Sequence, residues 1–169
     1  QSSTEDSVEQ RVSTVGRVHP HLEVKIVDES GKVVPRGQLG ELCVRGYSVM
    51  LGYWEDQDKT QEVIDTARWM HTGDIAEMDD EGFVKIKGRI KDVVIRGGEN
   101  LFPKEIEDFL YTHPAVSDVQ VIGVPDHKYG EELCACIILH ENDPCTEETI
   151  RQYCAEHISH NKVPRYVRF

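Results

Sequence analysis

Three short stretches near the middle of the chain carry residue types that can hold a ligand. The first is Thr72-Gly73-Asp74, which places a hydroxyl, a flexible glycine and a carboxylate after an aromatic-flanked loop. A carboxylate accepts two hydrogen bonds at once, so Asp74 would suit a vicinal diol such as that of a ribose. An ordinary turn with Asp74 as a capping residue is the alternative, and the tripeptide taken alone favours that alternative.

The other two stretches contain an arginine beside a glycine and a pair of adjacent glycines. Arg89 lies between Gly88 and the apolar Ile90, so its guanidinium is a candidate for phosphate or sugar oxygens; a surface ion pair is the alternative. Gly97 and Gly98 leave two backbone N–H groups uncovered by Cβ atoms, so a long, thin substrate could slide past them. A tight turn is the alternative for this pair.

Residues 88–100 form a joint between two kinds of predicted structure. Before the joint, short segments alternate apolar and polar residues, which predicts half-buried strands at 22–26, 41–45, 75–78 and 83–87 and one short helix at 58–65. The polar residues 1–14 are predicted to lack regular structure. After the joint we predict a helix at 103–113, a strand at 116–124, a loop at 125–132, a strand at 133–139, a helix at 146–158 and a strand at 166–169. The chain is therefore predicted to be a mixed α/β protein, β-rich first and α+β afterwards.

The bulk composition excludes several classes of partner. A net charge of −12 argues against general affinity for nucleic acid or anionic membrane surfaces. No apolar run approaches the roughly 20 residues of a membrane-spanning helix, and the polar start has neither a signal-peptide nor a transit-peptide pattern. Because the sequence lacks an initiator Met and stops within a predicted strand, we expect it to be a piece of a longer protein.

The cysteines and histidines do not predict a metal centre or a catalytic base. There are five cysteines with no CxxC spacing, so four convergent zinc ligands are not expected. Buried, reduced thiols of an intracellular protein are the favoured interpretation. The histidines His71, His113, His127 and His160 are isolated in sequence and lie in no recognisable nucleophile motif, so none is expected to be catalytic.

The three stretches combine with other phrases into an ordered series. The chain resembles the adenylate-forming superfamily of acyl-CoA synthetases, adenylation domains and luciferases, and within it most resembles medium-chain fatty-acyl-CoA synthetases. The resemblance runs from about residue 15 to residue 169. The phrases that carry it are Gly37-Gln38-Leu39-Gly40-Glu41-Leu42, Val44-Arg45-Gly46, Met50-Leu51-Gly52-Tyr53-Trp54, His71-Thr72-Gly73-Asp74, Gly88-Arg89-Ile90-Lys91-Asp92, Arg96-Gly97-Gly98-Glu99-Asn100 and Gly123-Val124-Pro125-Asp126.

This resemblance implies a domain organisation and a role for each candidate residue. Residues 15–89 would be the barrel-like end of a large AMP-binding domain, and residues 90–169 most of a small mobile domain. Asp74 would hold ribose hydroxyls and Arg89 the ribose and phosphate region, while Lys91 would be the hinge. Gly97 and Gly98 would line the pantetheine tunnel. No catalytic residue is expected in this chain, because the adenylating lysine would lie beyond Phe169.

The resemblance also implies a two-step reaction with ATP, a carboxylic acid and coenzyme A as substrates. The acid attacks the α-phosphate of ATP to give an acyl-adenylate and pyrophosphate, and the coenzyme A thiol then displaces AMP. Mg²⁺ is implied as well, although no ligand for it is identified in the chain, and the compartment implied is the mitochondrial matrix. Two alternatives stay open: another adenylating enzyme, of the carrier-protein-loading or luciferase type, and a non-catalytic binding module. The isolated chain is expected to be inactive.

Overall fold

A computed structural model describes residues 1–141 and 145–169, and the chain divides into two units, Gln1–Ile90 and Lys91–Phe169. The first unit is built on an antiparallel sheet whose four strands pair in sequence order. Its helices are α1 (Val8–Ser13) and α2 (Gln57–Val63), and its strands are β1 (Leu22–Val27), β2 (Gly40–Gly46), β3 (Met70–Met78) and β4 (Val84–Arg89).

The sheet of the first unit is an open meander. Its strands β1 and β4 lie at opposite edges and are not paired with each other in the part of the chain that the structure describes. One face carries a small apolar core of Ile26, Ala76 and Val84, because alternate residues of a strand point to the same side. Asp79-Asp80-Glu81-Gly82 joins β3 to β4 as predicted, and Gly82 supplies the positive φ of 88° that this turn requires.

The prediction that residues 1–14 lack regular structure is wrong. Val8–Ser13 form a helix, although none of its residues is buried. Ser7 and Gln10 make a capping box, in which the Ser7 side chain accepts from the Gln10 backbone N–H and the Gln10 side chain accepts from the Ser7 N–H. The spacing S-x-x-Q is the sequence signal of this cap, and it can start a helix without any apolar face.

The second unit combines a mainly antiparallel sheet with two helices. The strand order is β6-β5-β8-β7, and β9 adds to β8 in parallel. Its elements are β5 (Val94–Arg96), β6 (Glu99–Leu101), α3 (Pro103–Leu110), β7 (Val116–Asp126), β8 (Gly130–Leu139), α4 (Glu147–His157) and β9 (Tyr166–Arg168), together with short 3₁₀ turns at Ile90–Asp92 and His160–Lys162.

The helices of the second unit begin where the sequence predicts. Pro103 occupies the first turn of α3, and the Thr146 hydroxyl accepts from the Thr149 N–H at the start of α4. Both helices contribute buried side chains to one apolar core with the sheet, among them Ile106, Leu110, Ile150, Cys154, Leu133 and Val167. The mixed α/β class, with a β-rich first part and an α+β second part, is therefore confirmed.

Two further local predictions need correction, one on a loop of the second unit and one on the burial of the thiols in both units. The predicted loop at 125–132 is much shorter, because β7 extends to Asp126 and β8 begins at Gly130. The predicted burial of the thiols holds for Cys43, Cys134 and Cys154 but not for Cys136, which is exposed because it points away from the core face of β8. Burial raises the pKa of the Cys43 and Cys154 thiols to about 11. None of the helices in the described ranges is long and apolar enough to span a membrane.

Candidate nucleotide-binding site and glycine turn

Thr72-Gly73-Asp74 lies inside β3, not in a loop before it. These three residues stand opposite the single residue Leu42 of β2, so β3 bulges outwards at this point. Gly73 has a φ of 72°, a left-handed conformation that a glycine adopts without steric cost. Such bulges re-aim a side chain at the rim of a sheet. The register pairs that frame the bulge are Glu41 with Ile75 and Cys43 with His71.

The bulge is held by hydrogen bonds that replace the missing ladder bonds. The Gly73 N–H donates to Glu41 Oε1 at 3.1 Å, and the Asp74 N–H donates to Thr72 Oγ1 at 3.1 Å. The Thr72 hydroxyl in turn donates to the Leu42 carbonyl at 2.8 Å. Side chains thus satisfy the backbone N–H groups of Gly73 and Asp74, and these bonds hold the stretch of backbone from which the Asp74 side chain projects.

Asp74 and Arg89 come together on neighbouring strands. They are register partners of β3 and β4, and Asp74 Oδ1 lies 3.1 Å from Arg89 Nε. The Asp74 side chain is 26% exposed and that of Arg89 is 57% exposed, so both charged groups face solvent while their backbones are held in the sheet. A carboxylate and a guanidinium side by side offer acceptors for hydroxyl groups and donors for phosphate oxygens.

The structure also gathers a cluster that sequence reasoning missed. His71 Nδ1 lies 2.7 Å from Glu41 Oε2 and 3.5 Å from Cys43 Sγ, and the three possible ligand atoms lie within 4.8 Å of one another. The cluster was not predicted because His71 is 28 residues from Cys43 and 30 from Glu41, and the bulge shifts the strand register between them. Glu41 and His71 lie inside recognised phrases, which was the signal available in the sequence.

Gly97 and Gly98 form the two-residue turn of the β5–β6 hairpin. Both have positive φ values, 60° and 88°, and the turn is closed by the register pair Arg96 and Glu99. These values match the tight hairpin turns that favour glycine. A Cβ built on Gly98 would meet no atom within 4 Å, whereas one on Gly97 would lie 3.2 Å from the Tyr129 ring.

The base of this hairpin rests on a buried ion pair. Glu132 is fully buried, and its Oε2 lies 2.9 Å from Arg96 Nε and its Oε1 3.7 Å from Arg165 Nη1. Neither carboxylate oxygen has a hydrogen-bond partner among the described residues. Arg96 is further held because its Nη1 donates to the Asn161 carbonyl at 2.9 Å. The Gly97 N–H also donates to the Tyr129 carbonyl at 2.9 Å, so the hairpin contacts both Glu132 of β8 and Tyr129, the residue just before β8.

The candidate residues therefore fall into separate groups. Asp74 and Arg89 lie together in the first unit, and Gly97 and Gly98 lie together in the second. Lys91 lies in the 3₁₀ turn Ile90–Asp92, at the start of the second unit, and is exposed.

Comparisons with known proteins identify the family. The model described as "AMP-binding enzyme" matches residues 2–54, and the one described as "AMP-binding enzyme C-terminal domain" matches residues 105–169. The "Medium-chain acyl-CoA ligase ACSF2, mitochondrial" of Bos taurus is 55% identical over 167 residues, which cover 98% of this chain and 27% of that protein. The "Putative acyl-CoA synthetase YngI" of Bacillus subtilis (strain 168) is 51% identical over 100% of this chain and 31% of its own length.

A solved structure extends the comparison to the fold. The ATP-bound MatB from Rhodopseudomonas palustris superposes with a TM-score of 0.86 at 35% identity, over 93% of this chain and 31% of that one. The chain thus spans about a third or less of the length of the proteins it matches. The two matched family models, the identities above 50% and the shared fold together show that this chain belongs to the family of AMP-binding enzymes.

Proposed function

We propose that this chain is part of an ATP-dependent fatty acid–CoA ligase. It supplies part of the nucleotide site, and its Gly97-Gly98 turn serves the reaction with coenzyme A. In the first step the carboxylate of the acid attacks the α-phosphorus of ATP and pyrophosphate leaves. In the second step the sulfur of coenzyme A attacks the acyl carbon and AMP leaves. Both steps depend on positioning and on neutralising charge on phosphate oxygens, and the residues of this chain are suited to those tasks.

The pairing of Asp74 with Arg89 is the observation that carries the proposal. In the proposed complex with nucleotide, the Asp74 carboxylate accepts hydrogen bonds from the ribose hydroxyls, and the Arg89 guanidinium faces the ribose and phosphate oxygens. The 3.1 Å contact keeps the two side chains at adjacent positions on β3 and β4. Because the nucleotide is present in both steps, as ATP and then as acyl-adenylate, this pair would serve both half-reactions.

In the second step, the β5–β6 turn is proposed to line the path of the pantetheine chain of coenzyme A. Gly98 has open space where a Cβ would point, so a thin chain such as pantetheine can pass close to the backbone there. Lys91 is proposed as the hinge residue, since it is exposed and lies at the first position of the second unit. A hinge needs a residue whose backbone torsions can change without breaking a core, and Lys91 contributes no buried side chain.

Mg²⁺ accompanies ATP in the proposed reaction, but the residues of this chain do not fit it. In residues 1–141 and 145–169, one set of three convergent His, Cys, Asp or Glu ligands occurs, namely Glu41, Cys43 and His71. Mg²⁺ prefers oxygen ligands in octahedral geometry, and a thiol with an imidazole does not provide them. No step of the proposed mechanism uses this set as a magnesium site.

A medium-chain acid as substrate and a mitochondrial location complete the proposal. Their support is the identity of 55% to the ligase of Bos taurus, whose name carries both terms. The acid itself is to be identified by assay, with acids of graded chain length offered to the enzyme.

A chimera tests the function directly. This chain would replace the matching 27% of the Bos taurus ligase, and the product would be assayed for ATP–pyrophosphate exchange and for thioester formation. We expect exchange with medium-chain acids and acyl-CoA only when coenzyme A is present. Exchange without acyl-CoA would favour a carrier-protein-loading or luciferase-like enzyme, and an inactive chimera that is folded would contradict the proposal.

Replacing Asp74 with alanine in that chimera is expected to lower kcat/KM for both half-reactions by roughly 10- to 100-fold. Hydrogen bonds to a charged group contribute about 1.5–3 kcal/mol, which corresponds to this range. Asp80→Ala is the matched control, because Asp80 is an exposed carboxylate on the turn between the same two strands. An Asp74→Ala variant with unchanged affinity for ATP would remove Asp74 from the nucleotide site.

A further inference from the structure

The bulge in β3 needs a group that holds its backbone in place, and the ligand-facing side chains of Asp74 and Arg89 do not do this. It places three residues opposite one, so its backbone N–H groups lose their regular partners on β2. A bulge held only by its own backbone would open easily, and the direction of the Asp74 side chain would change with it. Some group must therefore hold the bulge in the conformation described above.

Glu41 is placed to do this from the facing strand. Its Oε1 accepts from the Gly73 N–H at 3.1 Å, in the middle of the bulge, and its Oε2 lies 2.7 Å from His71 Nδ1. A carboxylate ion can only accept, so in this hydrogen bond the imidazole donates from Nδ1. The Glu41 side chain is 20% exposed and that of His71 is 33% exposed, so these bonds are partly shielded from water.

We propose that Glu41 and His71 form a positioning pair for Asp74. His71 orients the Glu41 carboxylate, Glu41 holds the Gly73 amide, and Gly73 sets the direction of the next residue, Asp74. Neither residue touches the substrate in this proposal; both act through the backbone of the bulge. The inference rests on the proposed function only in its kinetic part, because the hydrogen bonds themselves can be tested without any substrate.

The test uses alanine variants beside near-isosteric ones in the same chimera. Glu41→Ala and His71→Ala are expected to raise the KM for ATP about tenfold or more, with kcat within about threefold, because a misdirected Asp74 weakens nucleotide binding equally in ground and transition states. Glu41→Gln keeps an oxygen acceptor for the Gly73 N–H, and His71→Asn keeps a donor near the position of Nδ1. Both conservative variants are therefore expected to keep the KM for ATP within about threefold of the wild-type value.

A matched control separates this effect from a general loss of stability. Glu77 lies on β3, the strand that contains the bulge, but outside the bulge itself. It pairs with Lys87 at 3.0 Å, and its side chain is 30% exposed. Glu77→Ala is expected to leave the KM for ATP unchanged. The positioning role would be overturned if Glu77→Ala raised the KM for ATP as much as Glu41→Ala does. It would also be overturned if Glu41→Gln and His71→Asn weakened ATP binding as much as the alanine variants.

Amide exchange in the 169-residue chain tests the hydrogen bonds independently of catalysis. The Gly73 N–H is expected to exchange about tenfold faster or more in Glu41→Ala than in wild type, and at a nearly normal rate in Glu41→Gln. If Gly73 exchange does not change in Glu41→Ala, the positioning pair is refuted. If exchange responds as expected but the wild-type chimera is inactive, the proposed function fails and the positioning pair stands.

Discussion

Replacing Arg96 with methionine is expected to lower the free energy of unfolding of the second unit by about 3–5 kcal/mol. The reason is the carboxylate of Glu132, which is fully buried and loses its nearest cation when Arg96 is removed. Arg165 stays at 3.7 Å but is half exposed, so it compensates only part of the buried charge. A typical domain has about 5–15 kcal/mol of stability, so the loss would bring this unit close to unfolding.

The measurement must report on the second unit alone. Both tryptophans, Trp54 and Trp69, belong to the first unit, so their fluorescence does not follow the second. Hydrogen exchange of peptides from β7 and β8 at increasing urea concentration gives the required free energy. The effect should appear there first because Glu132 is a residue of β8, the strand that pairs with β7.

Two further variants make this prediction specific. Lys162→Met removes a surface pair with Glu105 in the same unit, and is expected to cost only about 0.2–1 kcal/mol because water screens that pair. Arg96→Met combined with Glu132→Leu removes both buried charges, and is expected to regain most of the stability that the single change loses. If Arg96→Met and Lys162→Met lowered the free energy of unfolding equally, the buried pair would stabilise the unit no more than the surface pair does.

The elements that sequence predicted well are those set by local signals. The helix α3 begins at Pro103 and buries Ile106 and Leu110, as its apolar spacing indicates, and α4 begins after the cap residue Thr146. Pairing by alternation likewise predicted β1 and the β3–β4 hairpin. Each of these features needs only a few neighbouring residues to specify it, so one sequence is enough.

The features that sequence missed depend on contacts between distant segments. The adjacent acids Glu131 and Glu132 are typical of a solvated loop, yet Glu132 is buried because β8 begins at Gly130 and Arg96 comes from another strand. Similarly, the bulge at Thr72-Gly73-Asp74 depends on how β2 and β3 register, and no local pattern specifies a two-residue excess. The candidate residues Asp74 and Arg89 could be named from motifs, but their contact and the role of Glu41 required the strand pairing.

Replacing Gly98 with leucine is expected to leave acyl-adenylate formation within about threefold of wild type and to reduce thioester formation by about 100-fold or more. The turn faces open space at Gly98, so a leucine side chain would enter the path proposed for pantetheine. Gly97 is less suitable for this test, because a side chain there would also press against Tyr129 and disturb the hairpin. The two steps are measured separately in the chimera, by ATP–pyrophosphate exchange and by transfer from preformed acyl-adenylate to coenzyme A.

The positive φ of Gly98 requires a control for backbone strain. Gly31 has a φ of 79°, close to the 88° of Gly98, and a Cβ there also meets no atom within 4 Å. Gly31→Leu therefore imposes a similar left-handed strain, about 1–2 kcal/mol, in a turn of the first unit that has no role in the proposed reaction. If only Gly98→Leu blocks the second step, the block comes from the position of the side chain and not from strain. If Gly98→Leu instead reduces both steps equally, the turn is not part of the coenzyme A path, because an obstacle in that path would spare the step that precedes coenzyme A binding.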